Sequence, residues 1–155
     1  MDVRSDRRHR FDVGGEALWS AITAVDDFSR WWPWLRRFDG ARLAPGERWD
    51  CMIQPPLPYA LRFELEIAEV VPHELVTAQV SGDLTGSARL EVRDLSGPGG
   101  ARSEVRLRSD LAPANRVLRT FAMVAKPMVR FGHDWVLDTG LQQFRSRGLA
   151  TADRP

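Results

Sequence analysis

The sequence is poor in several features that would assign it to a familiar class of protein. It contains a single cysteine, Cys51, so an internal disulfide cannot form and a reducing cytoplasm is the expected location. No apolar run approaches the roughly 20 residues that a membrane-spanning helix needs. The charged stretch from Met1 to Arg10 leads into no apolar segment of the kind found in secretory signals. These absences predict a cytoplasmic protein without stable membrane insertion.

Lysine is almost absent as well. Of the 22 basic residues only Lys126 is a lysine, yet the formal net charge is only +1 because acidic residues are interleaved with the arginines. This balance argues against a nucleic-acid-binding surface. Several arginines between Arg4 and Arg10 form a basic start to the chain. We interpret this start as a solvated arm leading into the first strand rather than as a phosphate-binding arm.

What is present is the composition of an ordinary globular protein. The chain has 155 residues, of which 43% are hydrophobic and 28% charged, and a domain of that length can bury a core. We find no internal repeat and no linker that would divide it. We therefore take residues 1–155 as one domain.

Alternation of apolar and polar residues predicts an antiparallel sheet with one buried face. It is clearest from Tyr59 to Val71, where Leu61, Phe63 and Leu65 alternate with charged residues. The same pattern predicts six further strands, over Arg8–Val13, Arg36–Leu43, Glu47–Gln54, Leu75–Ser81, Ser87–Asp94 and Ser103–Leu111. Helical spacing predicts two short helices after the first strand, one from Glu16 to Val25 and one capped by Asp26 or Asp27 and limited by Pro33.

After Pro113 the period becomes that of one long helix, from Asn115 to Leu149. Its apolar stripe follows steps of three and four, at Leu118, Phe121, Ala122, Ala125, Val129, Gly132, Val136, Gly140 and Phe144. Pro127 should bend this helix. The alanines and glycines of the stripe leave space between helix and sheet. Large sheet residues such as Trp49 and Phe63 would fill that space, or it would remain as a cavity.

In this order of elements the chain resembles the START-like helix-grip superfamily, and within it the polyketide cyclase/dehydrase and lipid-transport (SRPBCC) family. The local resemblances are Leu18–Ile22, Asp26–Pro33, Pro45–Trp49, Phe63–Pro72 and the terminal amphipathic helix. The resemblance implies an α+β fold in which a curved seven-stranded antiparallel sheet surrounds the long C-terminal helix. It also implies a cavity between them, with its mouth near the second short helix. Because members include carriers, receptors, cyclases and co-chaperones, the fold alone implies no single activity.

The expected function is binding of a hydrophobic small molecule, a lipid or a polyketide-like ring system, without a cofactor or a metal. The predicted lining consists of Trp34, Trp49, Phe63, Leu65, Leu90, Leu107, Phe121, Ala125, Val129, Gly132 and Val136. Two alternatives stay open. One is a polyketide cyclase or aromatase, and the other is a protein-interaction module of the co-chaperone kind that uses exposed tryptophans. The sequence predicts neither the ligand nor the oligomeric state.

Few residues are suited to chemistry inside such a cavity. His133 lies at the edge of the helix stripe, and we take Ser109 as the one small polar residue on the inward face of the sheet. We expect the ring nitrogens of His133 to lie outside the cavity or to bond to protein neighbours. The pair His133–Asp134 supplies too few ligands for a metal site. Cys51, between Trp49 and Ile53, is predicted to be a buried apolar filler rather than a nucleophile.

Three tryptophans surround Pro33, at Trp31, Trp32 and Trp34. Such a row of large side chains cannot all face inward, so we expect at least one to be exposed or to line the cavity mouth. Burial in the core is the alternative for the others. A third interpretation is contact with a membrane or a partner, since arginines flank the segment.

Overall fold

A computed structural model describes residues 3–56, 60–114, 119–120 and 126–149 of the chain. Seven strands form one sheet in which all neighbours are antiparallel, in the order β1-β7-β6-β5-β4-β3-β2. The strands are β1 (Val3–Phe11), β2 (Leu35–Asp39), β3 (Arg48–Ile53), β4 (Leu61–Val71), β5 (Leu75–Gly82), β6 (Leu84–Asp94) and β7 (Ser103–Pro113). The helices are α1 (Gly15–Ile22), α2 (Phe28–Trp31) and α3 (Lys126–Gln143), with a 3-10 turn at Val25–Asp27 and a π-helical turn at Phe144–Gly148.

The alternation along the strands decides which face of the sheet is buried. In β3, Trp49, Cys51 and Ile53 are buried while Arg48 and Asp50 are exposed. In β4 the register with β5 shifts between Ile67 and Glu69. This bulge moves the buried face by one residue, so that Val70 packs against the core beyond it. The predicted sheet and its inward face are confirmed.

The first strand begins five residues earlier than the sequence pattern indicates, at Val3 rather than Arg8, and ends at Phe11 rather than Val13. The basic start of the chain is therefore not a solvated arm. It pairs along its length with β7, and several of its charged side chains have partners of opposite charge on that strand. Arg4 lies 3.3 Å from Asp110, and Arg106 makes two hydrogen bonds to Asp6 at 2.9 and 2.6 Å. Opposite charges across a strand pair stabilise it where apolar alternation is missing.

Helix α1 is anchored to the sheet by a carboxylate from another element. Gly14 precedes the helix and has no capping side chain. Instead Asp94, at the end of β6, accepts hydrogen bonds from the backbone N–H of Gly15 at 3.1 Å and from the Ser96 hydroxyl at 2.7 Å. These hydrogen bonds hold the pKa of Asp94 below its usual value, and the bond from the Ser96 hydroxyl has the largest effect. A side chain at Gly15 would collide with Asp94, since a Cβ there would lie 2.9 Å from the Asp94 Cβ.

The C-terminal helix is described from Lys126 to Gln143 and continues through the π-helical turn to Gly148. Leu118, Phe121, Ala122 and Ala125 lie outside the described residues, and so does the segment that would show the bend predicted at Pro127. At the C-terminal end Phe144 packs edge-on against Phe11, with ring centroids 5.8 Å apart, and against Trp31 at 5.7 Å. These contacts fix the end of the helix to the first strand and to α2.

Candidate ligand-binding site

Among the described residues, the sheet and α3 enclose two neighbouring apolar chambers. The aromatic chamber has a volume of about 290 Å³ and is lined by six aromatic rings together with aliphatic side chains. Its rings are those of Phe11, Phe28, Trp32, Trp34, Trp49 and Phe144. The aliphatic chamber has a volume of about 210 Å³ and lies nearer the N-terminal end of α3, between Gly132 and the inner strands β3 to β7. Leu107, Val136 and Leu137 line both chambers, so the two chambers adjoin at these three side chains.

The aromatic chamber is shaped by tryptophans that lie against α3. The Trp32 Nε1 donates a hydrogen bond to the carbonyl of Gly140 at 2.8 Å, and the Trp34 Nε1 donates to Gln143 Oε1 at 2.9 Å. A Cβ at Gly140 would lie 3.2 Å from Trp34 Cζ2, so the glycine permits this close approach. On the sheet side the Trp49 Nε1 donates to the carbonyl of Arg42 at 3.0 Å. All three indole N–H groups are thus satisfied by the protein, and the rings present carbon to the chamber.

The tryptophans around Pro33 divide between the core and the chamber. Trp31 is buried in the core, whereas Trp32 and Trp34 are partly buried and line the aromatic chamber. None of the six tryptophans is exposed. Trp34 also borders a shallow surface depression together with Trp135. Contact of this segment with a membrane or a partner, and the co-chaperone-like alternative, stay predictions.

Every predicted lining residue whose side chain the structure describes lies on a chamber wall. Trp34, Trp49 and Leu90 line the aromatic chamber. Phe63, Leu65 and Gly132 line the aliphatic chamber, and Leu107 and Val136 line both. Phe121 and Ala125 lie outside the described residues, as does the side chain of Val129. Their role in lining the site stays a prediction.

Sequence reasoning missed wall residues on the short helices and the loops. Ile22, Phe28 and Trp32 line the aromatic chamber, and so does Leu43 from the loop before β3. Helical spacing did place Ile22 on the inward face of α1, but it did not show that this face borders open space. Nothing in the pattern around Leu43 marks it as a wall residue.

His133 and Ser109 both line the aliphatic chamber, although nothing in their spacing required them to meet. Ser109 Oγ shares a hydrogen bond of 2.8 Å with Ser5 Oγ on the neighbouring strand. His133 Nδ1 lies 3.5 Å from Asp134 Oδ1. The chamber wall is almost entirely carbon despite these two residues. Ser109 is also not the one small polar residue on the inward face, because Ser5 lies beside it and Ser103, with 0% exposure, has the same parity in β7.

A charged seam joins β1 to α3. Arg7 lies 2.9 Å from Asp134 and 3.5 Å from Asp138, so one guanidinium joins the strand to two positions one turn apart on the helix. Next to it, burial, assisted by the Arg145 charge, lowers the pKa of His9. The seam orients α3 over the sheet and, with its charges paired, keeps them away from the apolar walls.

Cys51 does not have the environment of a nucleophile. Its side chain is buried between the inward residues of β3, and burial, aided by the charge of Asp50, raises the pKa of the thiol to about 12. The thiolate is the reactive form, and at neutral pH this cysteine is a neutral thiol.

Two kinds of feature are absent from the described residues. No group of three or more histidine, cysteine, aspartate or glutamate side chains there could hold a metal ion. No helix in the described part of the chain is long and apolar enough to cross a membrane.

Solved structures with the same arrangement identify the fold. A conserved protein from Geobacillus kaustophilus superposes with a TM-score of 0.76 at 9% identity, covering 97% of each chain. An aromatase/cyclase from a Streptomyces species gives 0.71 at 10% identity, covering 99% of this chain and 95% of that one. A START superfamily protein from Mycobacterium smegmatis gives 0.70 at 12% identity, covering 96% and 98%.

The chain has the START-like helix-grip fold. The fold predicted from the sequence is therefore confirmed. No protein-family model and no curated protein matches the sequence itself. At these identities the START-like neighbours establish the architecture alone, and the activity has to be argued from the chambers.

Proposed function

We propose that this START-like protein binds a hydrophobic small molecule, a lipid or a polyketide-like ring system, in the two chambers. The observation that carries the proposal is that the space between sheet and helix is open although its walls are carbon. Protein interiors are normally packed with few voids larger than a water molecule. An apolar cavity of about 150 Å³ admits benzene, and ligand pockets begin at about 300 Å³. The two chambers together fall within that range.

The comparisons support the proposal at the level of architecture. An aromatase/cyclase and a START superfamily protein share the fold over nearly the whole chain. Both place a sheet around a C-terminal helix, and this is the arrangement that encloses the chambers here. With its cavity internal and its single cysteine reduced, the protein is proposed to act in the cytoplasm.

A cyclase is the alternative function, favoured by one specific observation. His133 and Ser109 line the same chamber, so a ligand there would contact both. Proton transfer requires an acceptor within about 2.6–3.2 Å of the reacting group. However, the Ser109 hydroxyl is engaged with Ser5, and few polar atoms reach the wall. Binding without chemistry therefore remains the leading proposal.

A pair of glycine substitutions tests whether the helix–sheet space receives a ligand. Gly132 borders the aliphatic chamber, so Gly132→Leu should fill that space. Leucine is also the better helix former, by roughly 0.8–1 kcal/mol. We expect unchanged or higher stability, measured by urea unfolding, and at least tenfold weaker binding of Nile red, an uncharged apolar dye, measured by its emission.

Gly148 provides the matched control, because its surroundings are filled. A Cβ there would lie 3.1 Å from Phe144 and 3.3 Å from the Trp31 ring. Gly148→Leu should therefore destabilise the protein by about 1–3 kcal/mol through overpacking. The proposal fails if the unmodified protein does not bind the dye and Gly132→Leu destabilises it as much as Gly148→Leu does.

A further inference from the structure

The two chambers differ in the chemistry of their walls. Six aromatic rings line the aromatic chamber. In the aliphatic chamber the benzyl ring of Phe63 and the imidazole of His133 stand among leucine, valine, isoleucine, alanine and proline side chains. The division follows the fold, since α2, the segment after it and the π-helical turn bring aromatic residues to the C-terminal end of α3. Among the described residues, the part of α3 near Gly132 faces strand residues and Pro55 from the loop after β3.

The rings of the aromatic chamber are held in fixed positions. Trp32 and Trp34 lie with ring centroids 5.7 Å apart and an interplanar angle of 30°, and Phe28 meets Trp49 edge-on at 5.9 Å. Their indole N–H groups already donate to the protein. The surfaces left for a ligand are ring faces and ring edges. Such surfaces attract another planar ring in stacked or edge-on geometry beyond the contribution of the buried area.

The volumes limit the size of each part of a ligand. A cavity of about 150 Å³ holds one benzene ring. The aromatic chamber, at about 290 Å³, therefore has room for two fused rings. The aliphatic chamber, at about 210 Å³, holds a group somewhat larger than six carbons. Apart from Phe63 and His133, the walls of this chamber have no ring faces for stacking, so they fit a flexible chain by dispersion and burial.

Resting on the proposed function, we propose that the ligand is bipartite. A planar group of two fused rings occupies the aromatic chamber, and an aliphatic chain of about six to eight carbons occupies the aliphatic chamber. The bond that joins them passes Leu107, Val136 and Leu137, the three side chains common to both chambers. The ligand class is thus an alkyl-substituted bicyclic aromatic compound rather than a simple fatty acid or an unsubstituted ring.

Three probes test this proposal on the full-length protein: 2-naphthol, hexanol and 6-hexyl-2-naphthol. Their dissociation constants are measured by the change in tryptophan emission, since Trp32, Trp34 and Trp49 line the aromatic chamber. We expect 6-hexyl-2-naphthol to bind at least a hundredfold more tightly than 2-naphthol, a difference of about 2.8 kcal/mol.

Two neighbouring positions on β6 provide matched variants. Ala88 and Leu90 are two residues apart on the same face, and Ala88 borders the aliphatic chamber while Leu90 borders the aromatic one. In Ala88→Phe, 6-hexyl-2-naphthol should bind no more than tenfold more tightly than 2-naphthol. The dissociation constant of 2-naphthol itself should change by less than threefold. Leu90→Phe should weaken both naphthols by a similar factor of about ten. Ala88→Leu replaces Ala88→Phe if thermal unfolding shows that the larger ring prevents folding.

The other outcomes separate the two proposals. If none of the three probes binds, the proposed function itself fails. If 2-naphthol binds but the hexyl chain adds less than tenfold, or if the variants at Ala88 and Leu90 weaken 2-naphthol equally, the bipartite ligand is refuted while ligand binding stands.

Discussion

The substitution Leu107→Ala offers a direct measure of how empty the interior is. Leu107 borders both chambers, so its side chain faces open space on two sides. Burial of a leucine side chain is worth about 0.8 kcal/mol for each carbon group, or about 2.4 kcal/mol for the three that alanine lacks. Because much of this surface already faces a chamber, we expect a loss of only about 1–2 kcal/mol. The corresponding fall in Tm is about 2–8 °C for a domain of this length.

Leu18→Ala is the matched control. Leu18 in α1 has 0% exposure and borders neither chamber. A leucine in a filled core typically costs about 2.7–5.0 kcal/mol when replaced by alanine. Urea unfolding followed by tryptophan emission gives the free energy of unfolding of both variants under the same conditions. The slope of that free energy against urea concentration shows whether their unfolded states are comparable.

The comparison can refute the reasoning about the interior. If Leu107→Ala costs as much as Leu18→Ala, then Leu107 is packed on all sides and the chambers are filled by side chains. A smaller loss at Leu107, together with binding of ligands larger than the native protein accepts, would show that the substitution has enlarged the space where the two chambers adjoin.

Three further predictions concern single side chains. Asp94→Asn should lower the free energy of unfolding at pH 7. The pKa of Asp94 is depressed in the folded state, so its contribution to the free energy of unfolding is fully present above the pKa that the group has in the unfolded chain. That contribution is lost as the pH falls through the folded pKa. Urea titrations should therefore show the difference in stability between the variant and the native protein disappearing below about pH 4. Cys51 should react with an uncharged thiol reagent at pH 8 only after denaturation, because its pKa is raised to about 12 in the fold, and rapid labelling of the native protein would contradict this. His133→Ala should leave Nile red binding within about threefold, or roughly 0.65 kcal/mol, because the wall around it is carbon; loss of a measurable cyclisation in that variant would instead favour the enzyme.

Much of the sheet could be predicted because its buried face leaves a pattern of period two. The run from Leu61 to Ile67 in β4 shows this directly, and the observed strand begins two residues after the predicted one. The pattern fails where something other than apolar burial holds a strand. In β1 the stabilising partners are charges on β7, about 100 positions away in sequence, and a local pattern cannot reveal them.

Strand β6 begins three residues before its predicted start. The sequence pattern begins this strand at Ser87, whereas the strand begins at Leu84 and includes Gly86. At Gly86 φ is +147°, and a Cβ would lie 1.9 Å from the Asp110 carbonyl oxygen. The glycine is there because β6 and β7 approach closely, and the strand continues through it.

The sequence predicted which residues border the space between sheet and helix but not the shape of that space. The alternation along the strands and the apolar stripe of the helix were enough to predict that Trp49, Phe63 and Gly132 border this space. The division into an aromatic and an aliphatic chamber depends on how α2 and α3 lie over the sheet. That register follows from contacts such as the hydrogen bond from Trp32 to Gly140, which no spacing in the sequence encodes.

Native mass spectrometry of the freshly purified protein tests the proposed ligand binding most directly, because it detects any molecule that stays bound to the folded chain. The chambers have carbon walls and are open within, so we expect a hydrophobic molecule acquired in the cell to be retained. We expect an additional mass on the folded chain that disappears on acid denaturation, and the released compound should absorb as a bicyclic aromatic. A folded protein that shows only the mass of its chain, and that still binds no Nile red, would contradict the proposed function.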